Sequence, residues 1–176
     1  IPNGACDCDG NVEDCNGECG GSATNCPDWV DTPGSYEFSA VINALVMFGD
    51  DELSDTHDIL AAFDSDGNVR GTSIPLEVSF GPYTGLVLHE LMVRSNQNGD
   101  MLSFKFYDYS EDEVLLSATT YEFESNDLVG NLTDPFELNV GTVSLSIEMG
   151  QGWNFFSINT ETEDMHPNSV LTTLNP

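Results

Sequence analysis

The stretch Tyr36-Glu-Phe-Ser-Ala-Val-Ile-Asn-Ala-Leu-Val-Met-Phe48 decides the fold class. Tyr36, Phe38, Ala40, Ile42, Ala44, Val46 and Phe48 share one parity, so the extended chain carries a continuously apolar face, and a period of two is the mark of a strand. The other parity (Glu37, Ser39, Val41, Asn43, Leu45, Met47) is mixed, which predicts that part of the second face is covered as well. Downstream, Ile59–Phe63 reads as a short buried run ended by the turn signal Asp64-Ser-Asp-Gly-Asn68. Leu86–Arg94 and Met101–Asp108 flank Ser95–Asp100, whose Asn98-Gly99 is a strong hairpin cue. Leu102, Phe104 and Phe106 are expected to face inward, with Ser103, Lys105 and Tyr107 outward. Val114–Thr119 and Thr120–Glu124 add further strands.

On either side of this β-rich centre the pattern changes. Residues 1–28 are dominated by Gly, Asn, Asp and Cys and offer no ordinary core, so bridges or ions must hold them. Residues 141–176 begin with Val143, Leu145, Ile147 and Met149 alternating with Ser144, Ser146 and Glu148, and turn at Gly150-Gln-Gly152 into Trp153–Asn159. Within them Pro167–Leu174 reads as one short helix, with Pro167 in its first turn and Val170, Leu171 and Leu174 on one face. The expected organisation is therefore a Cys/Asp segment (1–28), a β-sandwich domain (29–140) and a terminal part (141–176). In fold class this is an all-β, immunoglobulin-like or jelly-roll-type antiparallel sandwich with one short C-terminal helix.

Charge narrows the function. Three Lys+Arg against 31 Asp+Glu give a formal net charge of −28 over 176 residues. Nucleic acid is excluded as a partner, because binding it needs basic groups to displace phosphate counterions. Docking on anionic lipid is disfavoured for the same reason, and no apolar run approaches the ~20 residues of a membrane-spanning helix. Disorder, the common fate of acidic chains, is countered by 39% hydrophobic residues, ten of them Phe. Clustered carboxylates call for cations, and hard oxygen donors suit calcium. The chain opens at Ile1 without an initiator Met, and a processed or excised product is expected.

All five cysteines (Cys6, Cys8, Cys15, Cys19, Cys26) fall in the first 26 residues. Cys6-x-Cys8 with Cys15-x₃-Cys19 loosely fits zinc knuckles, but the neighbours are Asp, Asn, Glu and Gly without His, and an oxidised knot fits better. The odd count leaves one thiol free or bridged to another chain, and Cys26, set apart after Gly20-Gly21, is the candidate.

Asp7, Asp9, Asn11 and Asp14 place oxygen ligands at i, i+2, i+4 and i+7 with Gly10 allowing a tight turn, a spacing suited to calcium. A solvated acidic knot is the alternative. Asp64, Asp66 and Asn68 repeat the phrase and form a second candidate set, for which a plain Asx turn also accounts. Asp50, Asp51, Asp55 and Asp58 make a further acidic loop. Asn131-Leu-Thr133 is an N-glycosylation sequon. Trp29, Tyr83, Tyr107, Tyr109 and Trp153 either include a sugar-stacking platform or serve as packing. His57, His89 and His166 are scattered without an activated nucleophile, and no enzymatic activity is expected.

Asp58-Ile-Leu-Ala-Ala-Phe-Asp-Ser-Asp-Gly-Asn-Val-Arg-Gly71, then Ser103-Phe-Lys-Phe-Tyr-Asp108 and the aromatic-Glu stretch Tyr121-Glu-Phe-Glu124, resemble a β-sandwich module of large bacterial surface proteins, often marine and secreted by the type IX route. Cys6-Asp-Cys-Asp-Gly-Asn11 through Cys19-Gly-Gly21 resembles a short repeat placed between such modules. Gly152-Trp-Asn-Phe-Phe-Ser-Ile-Asn159 resembles the start of a further module, which in that family would continue beyond Pro176. The resemblance implies an extracellular or cell-surface role in architecture or adhesion. The expectation is a non-catalytic subunit or repeat of a filament, sheath or adhesin, with copies of itself as partner and residues 142–176 packing on the next copy by strand donation. A calcium-dependent carbohydrate-binding module, with glycans as partner, and a viral fibre or decoration protein are the alternatives.

Overall fold

The computed structural model describes residues 4–141, which fall within one compact unit, Ile1–Ser144. Among the described residues nine strands follow a single 3-10 turn at Pro33–Ser35. They are β1 (Phe38–Phe48), β2 (Asp51–Leu53), β3 (Ile59–Phe63), β4 (Val69–Glu77), β5 (Val87–Ser95), β6 (Met101–Asp108), β7 (Glu113–Glu122), β8 (Leu128–Val129) and β9 (Phe136–Asn139). The fold is all-β, and its ladders are antiparallel except where β8 and β9 run parallel to β1. The expected strands 143–149 and 153–159 and the helix Pro167–Leu174 lie outside the described residues.

The strand order is β2-β1-β5-β4-β3-β6-β7, with β8 and β9 on the remaining edge of β1. The sheet curls, and its two ends meet where Val140, just past β9, bridges to Ser117 of β7. The curl turns at β4. Its first half pairs with β3 (Ala61 with Thr72, Ala62 with Gly71), and its second half pairs with β5 from Ser73 to Glu77. Gly71 stands at this corner, where a Cβ would lie 2.2 Å from the Met92 carbonyl oxygen. Only glycine lets the two backbones approach so closely.

Inside the curl, Ala40, Ile42, Ala44 and Val46 of β1 meet Leu91 and Val93 of β5, Leu60 and Ala62 of β3, Leu102, Phe104 and Phe106 of β6, and Phe123, Leu138 and Val140. This is the alternating face of Tyr36–Phe48, although Phe38 and Phe48 at the strand ends are exposed. Each fully buried Leu, Ile or Phe contributes roughly 1.5–3 kcal/mol relative to exposure. The mixed face of β1 is covered only in part, as its composition predicts. Leu45 packs with Val78 and Leu88 under Met47, Tyr83, Leu86 and Leu132.

Two expectations require correction. Asn98-Gly99 does not close a hairpin, since β5 pairs with β1 and β4 while β6 pairs with β3 and β7. The turn instead carries the chain from one layer to the other, held by Gly99 N–H on the Phe123 carbonyl and by Ser125 N–H on Asn98 Oδ1. Tyr107, expected outward, is buried with no exposed surface because the N-terminal segment covers it.

Candidate functional site

Three segments fold into the same turn. In Asp7-Cys-Asp-Gly-Asn11, Asp7 Oδ1 accepts the N–H of Asp9 at 2.9 Å and of Asn11 at 3.0 Å. In Asp14-Cys-Asn-Gly-Glu18, Asp14 Oδ1 accepts Asn16 and Glu18 at 3.0 and 2.9 Å. In Asp64-Ser-Asp-Gly-Asn68, Asp64 Oδ1 accepts Asp66 and Asn68 at 2.9 and 2.8 Å. The fourth residue of each turn is a glycine with φ between +83° and +89°, the left-handed region that other residues avoid. Sequence reading matched the first and third phrases. It missed the second, although Asp7-Cys8 and Asp14-Cys15 recur at a seven-residue interval.

Beyond the shared turn, the first and third copies differ in one charge. Asp-x-Asp-Gly-Asn-Val is followed by Glu13 in one and by Arg70 in the other. Arg70 donates from Nε to Asp64 Oδ2 at 2.9 Å, lies 3.7 Å from Asp100 Oδ2, and stacks its guanidinium 4.5 Å over the Tyr36 ring. Burial would raise the Asp64 pKa, yet Asn68, Arg70 and the Asp66 N–H together hold it down at about 2. In the first copy the Asn11 side chain, its backbone N–H and those of Asp9 and Gly10 lower the Asp7 pKa, with no cation among these partners.

The N-terminal segment is a disulfide knot fixed to one end of the sheet. Cys6 is bonded to Cys19 and Cys15 to Cys26. The odd thiol is therefore Cys8, exposed, and not Cys26. Cys26 is brought back to Cys15 because Asp112, in the β6–β7 turn, captures the chain just before it. Asp112 Oδ2 accepts Thr24 N–H at 2.7 Å, its Oδ1 accepts Asn25 N–H at 3.1 Å, and its carbonyl accepts Asn25 Nδ2 at 2.9 Å. Tyr107 donates its hydroxyl to Asp112 Oδ1 at 2.8 Å and accepts Asn16 Nδ2 at 3.0 Å. Tyr109 donates to Glu18 Oε2 at 2.9 Å and stacks 4.7 Å from the His57 ring. The Thr24 N–H above all lowers the Asp112 pKa. Asp112 also keeps a left-handed φ of +52°, which short polar side chains tolerate.

Two buried groups titrate abnormally. Asp58, 3% exposed, accepts Tyr109 N–H and Asp55 N–H, and burial pushes its pKa up to about 6. His89, with no exposed surface, places Nδ1 3.0 Å from Ser73 Oγ, and burial brings its pKa down to about 4. This serine–histidine contact was invisible in sequence, where 16 residues separate the pair. It is closed to any substrate by the core around it, and Ser73 Oγ is also held by Leu60 N–H.

The remaining expected residues are dispersed. Asp50 and Asp51 lie at the β1–β2 turn, and Asp55 pairs with His57 at 2.7 Å. Exposed Asn131 accepts Thr133 N–H, Thr133 Oγ1–H and Asp134 N–H on its Oδ1, and the sequon sits on a surface turn. The described aromatics do not form a platform together. Tyr83 packs against the outer cluster, Trp29 meets Phe63 edge-on at 5.4 Å, and Tyr107 and Tyr109 hold the knot. A polar cleft of about 320 Å³ opens beside the third turn, lined by Asp64, Asp66, Arg70, Asn96, Gln97 and Asp100.

For a metal ion, the donor sets differ in fitness. Among the described residues the one grouping of His, Cys, Asp or Glu close enough for an ion is Cys15, Cys26 and Asp112. Its sulfurs are joined to each other and are not thiolates. The Asp7, Asp9 and Asp14 carboxylates do not converge within 4.8 Å, and Asp14 is committed to Asn16, Glu18 and Ala23. At Asp64 a guanidinium already supplies the positive charge. Among the described residues no helix is long and apolar enough to cross a membrane. No protein family, curated protein or solved structure matches the chain.

Proposed function

We propose that the chain is a non-catalytic extracellular structural protein, a subunit or repeat of a surface filament, sheath or adhesin that assembles head to tail through residues 141–176. The observation that carries this reading is the docking of the knot. A segment of the kind that joins modules is closed by two disulfides and bonded through Asn16, Glu18, Thr24 and Asn25 to Tyr107, Tyr109 and Asp112. Such a joint transmits force into the sheet instead of hinging, as a load-bearing extracellular chain requires, and disulfides persist in that oxidising setting. Negative-stain electron microscopy of the full chain tests it. Regular filaments support the reading, and dispersed particles at every concentration remove the head-to-tail subunit.

Calcium belongs to this proposal at the first turn, through Asp7, Asp9, Asn11 and Asp14, because no guanidinium stands there as Arg70 does on Asp64. Added calcium is expected to raise the melting temperature, an effect lost in Asp9→Asn and kept in Asp66→Asn. An unchanged melting curve in calcium and in chelator alike would remove the ion from the proposal. A second reading rests on the cleft beside Asp64, whose carboxylates, amides and guanidinium match the hydroxyls of a sugar. Glycan-array binding that disappears in Gln97→Ala would favour it.

A further inference from the structure

One tight turn, from Asp108 to Asp112, stands between the knot and the sheet. On its outer side it grips the knot, where Tyr109 donates its hydroxyl to Glu18 Oε2 and Asp112 accepts the Thr24 and Asn25 amides. Asp108 shapes the turn, its Oδ1 accepting Ser110 N–H at 3.0 Å, Ser110 Oγ–H at 2.8 Å and Glu111 N–H at 3.2 Å. Behind the turn lies Asp58, just before β3, which accepts Tyr109 N–H on Oδ1 at 2.9 Å and Asp55 N–H on Oδ2 at 3.2 Å. Asp58 and Asp108 are the two buried carboxyls among the described residues. No Lys or Arg attends Asp58, since Arg70 is held on Asp64, Arg94 on Asp31 and Lys105 over the Phe63 ring.

We propose that this turn is an acid-set clasp, which holds the knot firmly while Asp58 is uncharged and loosens when Asp58 ionises. An uncharged Asp58 can stay buried beside Asp55 and Asp108 and keep both N–H bonds. An ionised one needs water, which it gains when the turn swings away from it, and Tyr109 and Asp112 leave with the turn. The groups that face Asp58 are Asp55 on its own loop and Asp108 and Tyr109 on the turn. Beyond these, His57 pairs with Asp55 and stacks on Tyr109, and Glu18 of the knot takes the Tyr109 hydroxyl. Burial above all, joined by the Asp108 and Asp55 charges, outweighs the two N–H bonds and puts the Asp58 pKa at about 6 against 3.8 ordinarily. With the value raised, the grip is complete below 3.8 and lost as pH rises through 6. The opening is local, so His89 inside the core takes no part in it. The clasp sets the firmness of the joint that carries the filament reading, but it needs only the docked knot and not the filament.

Hydrogen exchange of the full chain at about pH 5 and about pH 7.5, with each amide corrected for its intrinsic rate, tests the proposal. The expected result is protection of the Tyr109, Thr24 and Asn25 amides about tenfold lower at the higher pH, with amides of β3 unchanged. In Asp58→Asn, which keeps an acceptor and cannot ionise, the difference disappears. Should that variant fail to fold, carbon NMR titration of the Asp58 carboxyl in the parent chain decides, because the fall in Thr24 and Asn25 protection must level off where that carboxyl titrates. Protection of Thr24 and Asn25 that is equal at the two pH values, or that falls as far in Asp58→Asn, overturns the proposal. A fall confined to Tyr109 overturns it too, since Asp58 would then act on the turn without reaching the knot. Filaments absent with the pH dependence intact would count against the head-to-tail reading alone, and filaments present with flat protection against the clasp alone.

Discussion

Asp58 and His89 are both buried, and their responses to acid have opposite signs. Asp58 takes up a proton near pH 6 in the folded chain against 3.8 ordinarily, so its contribution is present below pH 3.8 and lost as pH rises through 6. His89 resists protonation down to about 4 against 6.5 ordinarily, so its contribution is present above pH 6.5 and lost as pH falls through 4. At about 1.4 kcal/mol per pH unit between the two values, each effect approaches roughly 3 kcal/mol over nearly the same window. The two are expected to cancel in the parent chain between pH 6.5 and 4. Urea unfolding across that range should show stability falling with acid in Asp58→Asn and rising with acid in His89→Leu. Parallel curves for the two variants would refute the pairing. Asp112 acts differently, through the amides it holds. In Asp112→Ala the Thr24 and Asn25 amides should exchange with solvent about tenfold faster or more, while amides of β3 keep their protection. Sequence disclosed the acidic loop that contains Asp58, because residue type and turn chemistry are local, but it did not single out Asp112. It could not disclose which carboxylate loses water, since Asp58 is buried by residues brought from 51 positions away.

Strand existence was legible for a similar reason. A period of two survives wherever one face meets a core, and β1 and β6 lie where that period places them, while β3 was legible as a short buried run. Strand pairing was less legible. An Asn-Gly turn specifies a local reversal, but β5 already has β1 and β4 on its two edges, so β6 must join the other layer. The corner of β4 governs that arrangement, and Gly71 is its least replaceable residue. Gly71→Ala forces a methyl group against a carbonyl oxygen that cannot move without breaking the β4–β5 ladder. A loss of about 3 kcal/mol is expected in chemical denaturation. Wild-type stability in that variant would mean that the corner is looser than the close approach to Met92 requires. At the candidate site, the calcium-like spacing was visible along the chain. The substitution of Glu13 by Arg70 in the repeated phrase acquires meaning only when the guanidinium is seen on Asp64.

Across the whole molecule the three cations are all withdrawn into the fold. Arg70 lies on Asp64 and Tyr36, Arg94 pairs with Asp31, and Lys105 sits 4.5 Å over the Phe63 ring. Composition announced their scarcity but not their placement, which depends on partners from distant segments. Arg70, Arg94 and Lys105 also stand within strands, in β4, β5 and β6. Proteases of the trypsin class cut after Lys or Arg and must draw several residues of unpaired backbone into their cleft. Of the bonds such an enzyme could recognise, those after Arg94 and Lys105 are woven into ladders and that after Arg70 follows a side chain held on Asp64, while the loops that an attacker normally nicks first contain nothing for it to read. Digestion then has to wait for the sheet itself to open. The folded chain should survive trypsin for as long as it survives unfolding, while a glutamate-directed protease clips its exposed turns, and that selective durability would suit a protein working among secreted digestive enzymes.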